Sequence, residues 1–254
     1  MSTTEPAALT DLPTVVPHLW RRVTEYAWWS TIAWVAWFWL GSFVVWIGVV
    51  AMTIRYDELG DSIWLGVGPG WTRWILFAAG IALACQLLPL VIAQGGTRRA
   101  GGRGCVAALA LLSAAGAAIV LVVHLLEGLV FHLDDATRLL PQQRHLFDSP
   151  DQWYLLLLET FLTYLAFAAG GWLVGTAYYR FGPYLGTLWL PLGLVPIAVV
   201  ELLVSGSVVP EQLVDWRSDL PVLVEVLVCL VVITATVAFT EQVQQRLSMR
   251  PRPR

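Results

Sequence analysis

Four carboxylates and one imidazole stand inside otherwise apolar runs of this chain: Glu127 with His124 one turn before it, Glu159, Glu201 and Glu225. A carboxylate in hydrocarbon stays charged only where water or a partner reaches it, and otherwise takes up a proton. The group therefore has two readings. Either these side chains snorkel or bond between helices near one membrane face, or they line a path for a substrate, an ion or a proton. His124 is the neighbour available to Glu127. Catalysis finds less support. An intramembrane serine protease needs a serine and a histidine on neighbouring spans, yet no histidine follows His145 and Ser205 and Ser207 have no base assigned to them. His124 is the one histidine well inside an apolar run, too few for bis-histidine haem, and no His-Glu cluster has metal-hydrolase spacing.

A second set of residues could bind a partner. Gln94-Gly-Gly-Thr97-Arg98-Arg99-Ala-Gly-Gly-Arg103-Gly104 places three arginines between two long apolar runs. Glycines 95, 96, 101, 102 and 104 are expected to break any helix entering from either side, and each arginine costs about 2.5 to 3.5 kcal/mol at mid-bilayer. The segment reads as a tight turn at the cytoplasmic membrane surface, serving as a topology signal with headgroup contact, as a docking point, or as both.

Apolar helices must position both sets. Hydrophobic residues make up 57 % of the chain and charged residues 13 %, with a mean hydropathy of +0.69, which marks an integral membrane protein. Six runs exceed or approach the roughly 20 residues that cross a bilayer: 26–54, 71–93, 105–131, 153–179, 184–205 and 221–240. The fold class is thus all-α and polytopic, with a cytoplasmic tail over 1–25, a transmembrane domain over 26–240 and an arginine/proline tail over 241–254. Residues 1–17 lack the features of a signal peptide and are expected to stay attached. Residues 18–29 mix arginine with aromatics, as an interfacial helix or the start of the first span would.

Each span carries its own signal. The tryptophans at 28, 29, 34, 37, 39 and 46 exceed an interfacial belt, so some pack on helices and others face lipid. The alanine-rich third span is expected inside the bundle. Gly171-x-x-x-Gly175 puts two glycines on one face of the fourth, for packing within the chain or against a second copy. Pro191 and Pro196 are expected to kink or unwind the fifth. The loop over 132–152 has room for a short surface helix. Cys85, Cys105 and Cys229 lack metal or redox spacing and read as small core residues.

Orientation follows from arginine. Alternating sides from a cytoplasmic start gives Arg21, Arg22, Arg98, Arg99, Arg103, Arg180, Arg246, Arg250, Arg252 and Arg254 inside, against Arg55, Arg73, Arg138, Arg144 and Arg217 outside. Both termini are then cytoplasmic. The net charge of −3 is spread over separate loops and offers no nucleic-acid face. All 15 basic residues are arginine, so a Gly-x-x-x-x-Gly-Lys nucleotide loop cannot occur.

These features carry a resemblance. Six spans, Thr97-Arg98-Arg99 between the second and third, Glu127 ending the third, and Gly171-x-x-x-Gly175-Thr-Ala-Tyr-Tyr-Arg180-Phe-Gly182 closing the fourth look like the permease subunits of type-two ABC exporters, in the compact form common in actinobacteria. The chain departs from that pattern at Ala100-Gly101-Gly102, where an aromatic is expected. The resemblance implies a bacterial plasma-membrane permease that dimerises with a second copy or homologue and couples through Thr97, Arg98, Arg99, Arg103 and Arg180 to a separate ATPase subunit. That subunit, and not this chain, would bind ATP and Mg. The alternatives are a self-contained channel or secondary transporter, and a membrane assembly or immunity factor.

Overall fold

The computed structural model describes residues 19–55, 63–133, 145–147, 149, 151–205 and 220–246. Their regular structure is helical throughout, and six helices are long and apolar enough to cross a membrane. Span one is α1 (Leu19–Arg55), a single helix, so the described part of 18–29 is the start of the first span and not a separate interfacial helix. Span two is α2 (Ile63–Ala82), a π-helical turn over Leu83–Leu87, and α3 (Leu88–Ala93). Spans three and four are α4 (Arg98–Leu133) and α5 (Trp153–Phe181). Span five is α6 (Pro183–Thr187), α7 (Leu190–Val200) and a second π turn over Glu201–Ser205, and span six is α8 (Val222–Gln245). The hydropathy pattern thus gave the right spans. The expected helix within 132–152 falls largely outside the described residues; those described at 145–147, 149 and 151–152 form bends and a turn.

The centre of the bundle belongs to α5, not to α4. Of the apolar stretch of α5, 78 % is buried, against 44 % for α4 and 17 % each for α1 and α8. Small residues on α4 do allow close approach, but on two sides α5 replaces side chains by bare backbone. A Cβ on Gly171 would collide with the backbone of Phe77, one on Gly175 would lie 2.7 Å from Ile81 Cα, and one on Gly170 would strike the Gly193 carbonyl. Gly171 and Gly175 therefore seat α2, Gly170 seats α7, and the glycine pair serves packing within the chain. Around this centre α4 packs on α1, α2 and α5, while α8 packs on α5 and α4.

Proline sets the breaks in span five. Pro191 lies in the first turn of α7, where a missing N–H costs nothing, and the chain is out of the helix just before it at Leu188–Trp189. Pro196 is tolerated inside α7, and regular α-helix gives way to the π turn five residues later at Glu201. A break that was not expected lies in span two. Pro89 has no N–H to offer the carbonyl four residues back, at Cys85, and the widened turn over Leu83–Leu87 absorbs the mismatch. Cys85 Sγ donates instead to the Gly175 carbonyl at 3.4 Å.

The tryptophans divide as expected. Trp39 and Trp46 are buried and both meet Trp64 of α2 with ring centroids 6.1 Å apart, whereas Trp29 and Trp37 are more than two-thirds exposed, at 71 % and 74 %.

Candidate functional site: buried charges at one end, arginines at the other

Helix length sets the depth of both sets of charges. From Arg103 to Glu127 on α4 is 24 residues, about 36 Å at a rise of about 1.5 Å per residue, and from Glu159 to Arg180 on α5 is 21 residues, about 31 Å. Both match a hydrocarbon core of about 30 Å with its charged residues at the two boundaries. The arginine turn lies at one end and the glutamates at the other, as the sequence pattern implied.

At the glutamate end the four glutamates within the spans are buried, with exposures of 1 % for Glu127, 5 % for Glu159, 1 % for Glu201 and 2 % for Glu225. They do not snorkel. Glu127 accepts the Trp64 backbone N–H at 2.8 Å, capping the start of α2, where the helix dipole favours an anion. Trp64 also donates its indole N–H to the Val120 carbonyl at 3.2 Å, so α2 is fixed to α4 by two bonds. His124, the neighbour expected for Glu127, is 2 % exposed and engaged in an interaction.

Glu159 holds a piece of the loop before its own helix. One carboxylate oxygen lies 2.7 Å from His145 Nδ1, and the other accepts the Leu146 N–H at 2.8 Å. His145 stacks on Phe147, and Leu146 enters an apolar cluster with Leu162, Val200, Val204 and Cys229. Glu225 lies in the first turn of α8, again where the dipole favours a carboxylate, and is engaged.

Glu201 begins the second π turn and forms an ion pair with Arg73 of α2. Arg73 is 14 % exposed, donates its Nε–H to the Gly70 carbonyl at 3.0 Å and lies 5.7 Å above the Phe167 ring of α5. Tyr164 and Thr72 lie beside it, so α2, α5 and α7 meet at this one cation. Here the sequence reading needs correction. Span two was expected from residue 71, with Arg73 near its outer end, yet α2 begins at Ile63, eight residues earlier, and runs through Gly68-Pro69-Gly70. Pairing on α5 outweighs the local cost of glycine and proline. The apolar run Ile63-Trp64-Leu65 upstream was the signal for that earlier start. His145 was likewise missed, having no periodic pattern around it.

At the other end the turn is shorter than expected. Only Gln94, Gly95, Gly96 and Thr97 lie outside helix, with Gly95 at φ +80°, while Gly101, Gly102 and Gly104 sit inside α4. They break nothing. Their lack of Cβ admits neighbours instead: a Cβ on Gly102 would lie 3.0 Å from the Gln244 side chain of α8, and one on Gly104 would lie 3.0 Å from the Trp20 carbonyl of α1. Thr97 caps α4, its hydroxyl accepting the Ala100 N–H at 3.2 Å. Arg98 donates to the Gln245 carbonyl at 3.2 Å and so closes the end of α8, a cation where the dipole wants one.

Of the residues expected to meet a partner, Arg99 and Arg103 are exposed, Arg98 is half-buried against α8, Thr97 is a cap, and Arg180 is half-buried with its guanidinium 5.0 Å over the Phe181 ring. Arg22 of α1 borders a groove with the turn, Arg103 of α4 borders another with Trp20 of α1 and Glu241 of α8, and Arg98 bonds to the end of α8. No protein family, curated protein or solved structure matches this chain.

Proposed function

We propose that this chain is the membrane permease subunit of an ATP-driven ABC-type exporter, placed in a bacterial plasma membrane with its arginine-rich end cytoplasmic. Six apolar helices fit a membrane transport protein. The observation that carries the finer reading is the position of α5. A helix packed backbone to backbone against α2 and α7 fills the bundle, which supports a translocation path between two copies of the chain over one through a single copy. The sparsely buried α1 and α8 are the surfaces available to the second copy and to lipid.

Coupling is assigned to the basic surface at the end of α1 and α4. Arg99 and Arg103 are its free cations, and Arg98 is kept in place by α8. The ATPase, with its ATP and Mg, is a separate subunit, because this lysine-free chain has no phosphate-binding loop. Copurification of the tagged chain with an ATPase subunit, and ATP turnover that requires both, is the expected result. Stoichiometric ATP binding by the isolated chain overturns it. The buried Arg73–Glu201 pair favours a second reading, a self-contained ion-coupled transporter. Ion-dependent transport by the purified chain in vesicles without any ATPase selects that reading.

A further inference from the structure

We propose that a groove between the first turns of α1 and the end of span two is a binding site for one anionic phospholipid. The groove has a volume of about 230 Å³ and is lined by Leu19, Arg22, Val23 and Tyr26 on α1, and by Leu87, Leu90, Val91, Gln94 and Gly96 on the facing segment. Its lining changes character along the membrane normal. Leu87, Leu90, Val91 and Val23 form an apolar floor, while Arg22, Gln94 and Gly96 lie towards the turn that marks the membrane boundary. An amphiphile with an acyl chain on the first group and a phosphate at the second matches that gradient.

The walls are built and not incidental. A Cβ on Gly96 would lie 3.3 Å from Leu19 Cδ2, and one on Gly104 would lie 2.6 Å from Val23 Cβ, so both glycines exist in a form that lets α1 settle against the turn and α4. Thr24 Oγ1 adds a bond to the Gly104 carbonyl at 3.3 Å. The π turn ending at Leu87, forced by Pro89, shapes the opposite wall.

Charge selects the occupant. Among the described residues Arg22 makes no hydrogen bond or ion pair, although it borders an apolar groove where a compensating anion is favourable. The neighbouring cations Arg21 and Arg99 are exposed, and Glu25 is the nearby acid on α1, also exposed. A phosphodiester offers two oxygens to the guanidinium fork and can accept from the Gln94 amide. A zwitterionic lipid brings its own cation against Arg22 and is disfavoured.

Native mass spectrometry of the full chain, extracted from vesicles of equal phosphatidylglycerol and phosphatidylcholine, tests the site. The expected result is one retained phosphatidylglycerol per chain in preference to phosphatidylcholine. Arg22→Gln lowers that preference about five-fold, and Arg22→Lys restores part of it. Arg21→Gln removes the same charge from the next residue, which does not line the groove, and leaves the preference unchanged. Equal retention of both lipids by the unaltered chain overturns the proposal without any variant having to fold. So does an equal loss in Arg21→Gln and Arg22→Gln, which marks diffuse attraction to a negative surface.

Discussion

The two ends of the bundle use charge in opposite ways. At the glutamate end Glu127, Glu159, Glu201 and Glu225 are all buried, and the bonds of the first three join separate parts of the chain: α4 to α2, α5 to the 145–147 segment, the π turn to α2. At the arginine end Arg21, Arg22, Arg99 and Arg103 are exposed, while Arg98 is committed to another helix. Charge at the first end is spent on holding helices together; at the second it is left available to something outside the chain. The difference is one of alternatives. A carboxylate wedged between helices has no water to return to and must be matched by a donor, whereas an arginine at the membrane surface keeps its hydration until a partner replaces it.

The contrast predicts a graded series. The largest effect belongs to Glu201→Ala, which deprives a 14 % exposed Arg73 of its carboxylate and is expected to destabilise the bundle by about 3 to 5 kcal/mol in detergent unfolding. The double change Arg73→Met with Glu201→Leu removes both charges and should recover most of that loss. A single variant no worse than the double would show that the pair does not hold α2 to α7.

Next comes Glu127→Ala, which strands the buried N–H of Trp64 and is expected to cost about 1 to 3 kcal/mol. Tryptophan fluorescence should shift with it, since Trp64 touches both Trp39 and Trp46. An unchanged spectrum and midpoint would mean that α2 needs no cap.

Arg98→Ala is expected to cost about 1 kcal/mol or less, through the lost bond to the Gln245 carbonyl. Hydrogen exchange should rise at the end of α8 and nowhere in α5. The smallest stability effect, within about 0.5 kcal/mol, is expected for Arg99→Ala with Arg103→Ala. That same pair should produce a partial, salt-dependent loss of partner-stimulated ATP turnover. Full turnover at normal membrane levels would leave these arginines as topology signals only.

How far the site was legible depends on which kind of information each residue carries. The glutamates stood out because a charge inside an apolar run is anomalous whatever the packing. Arg73 carries the same kind of charge, yet nothing near it in sequence points to Glu201 as its partner. Gly101, Gly102 and Gly104 failed the other way, being read as helix breakers when they are the gaps that face α3, α8 and α1 in turn. Pro191 was legible, since a missing donor is local. The π turn before Pro89 follows from the same chemistry and was passed over.

What the sequence by itself determined is the number of spans, their order and the placing of arginine and glutamate at opposite boundaries, because hydropathy and helix rise are properties of each segment alone. Tertiary structure decided which helix is central and which charge meets which. The alanines of α4 and the glycines of α5 both permit close packing, and only the fit of Gly171 and Gly175 against Phe77 and Ile81 makes α5 the axis. Arg73 and Glu201 lie 128 residues apart, and no local pattern can pair them. Their meeting depends on α2 and α7 both lying against the same helix.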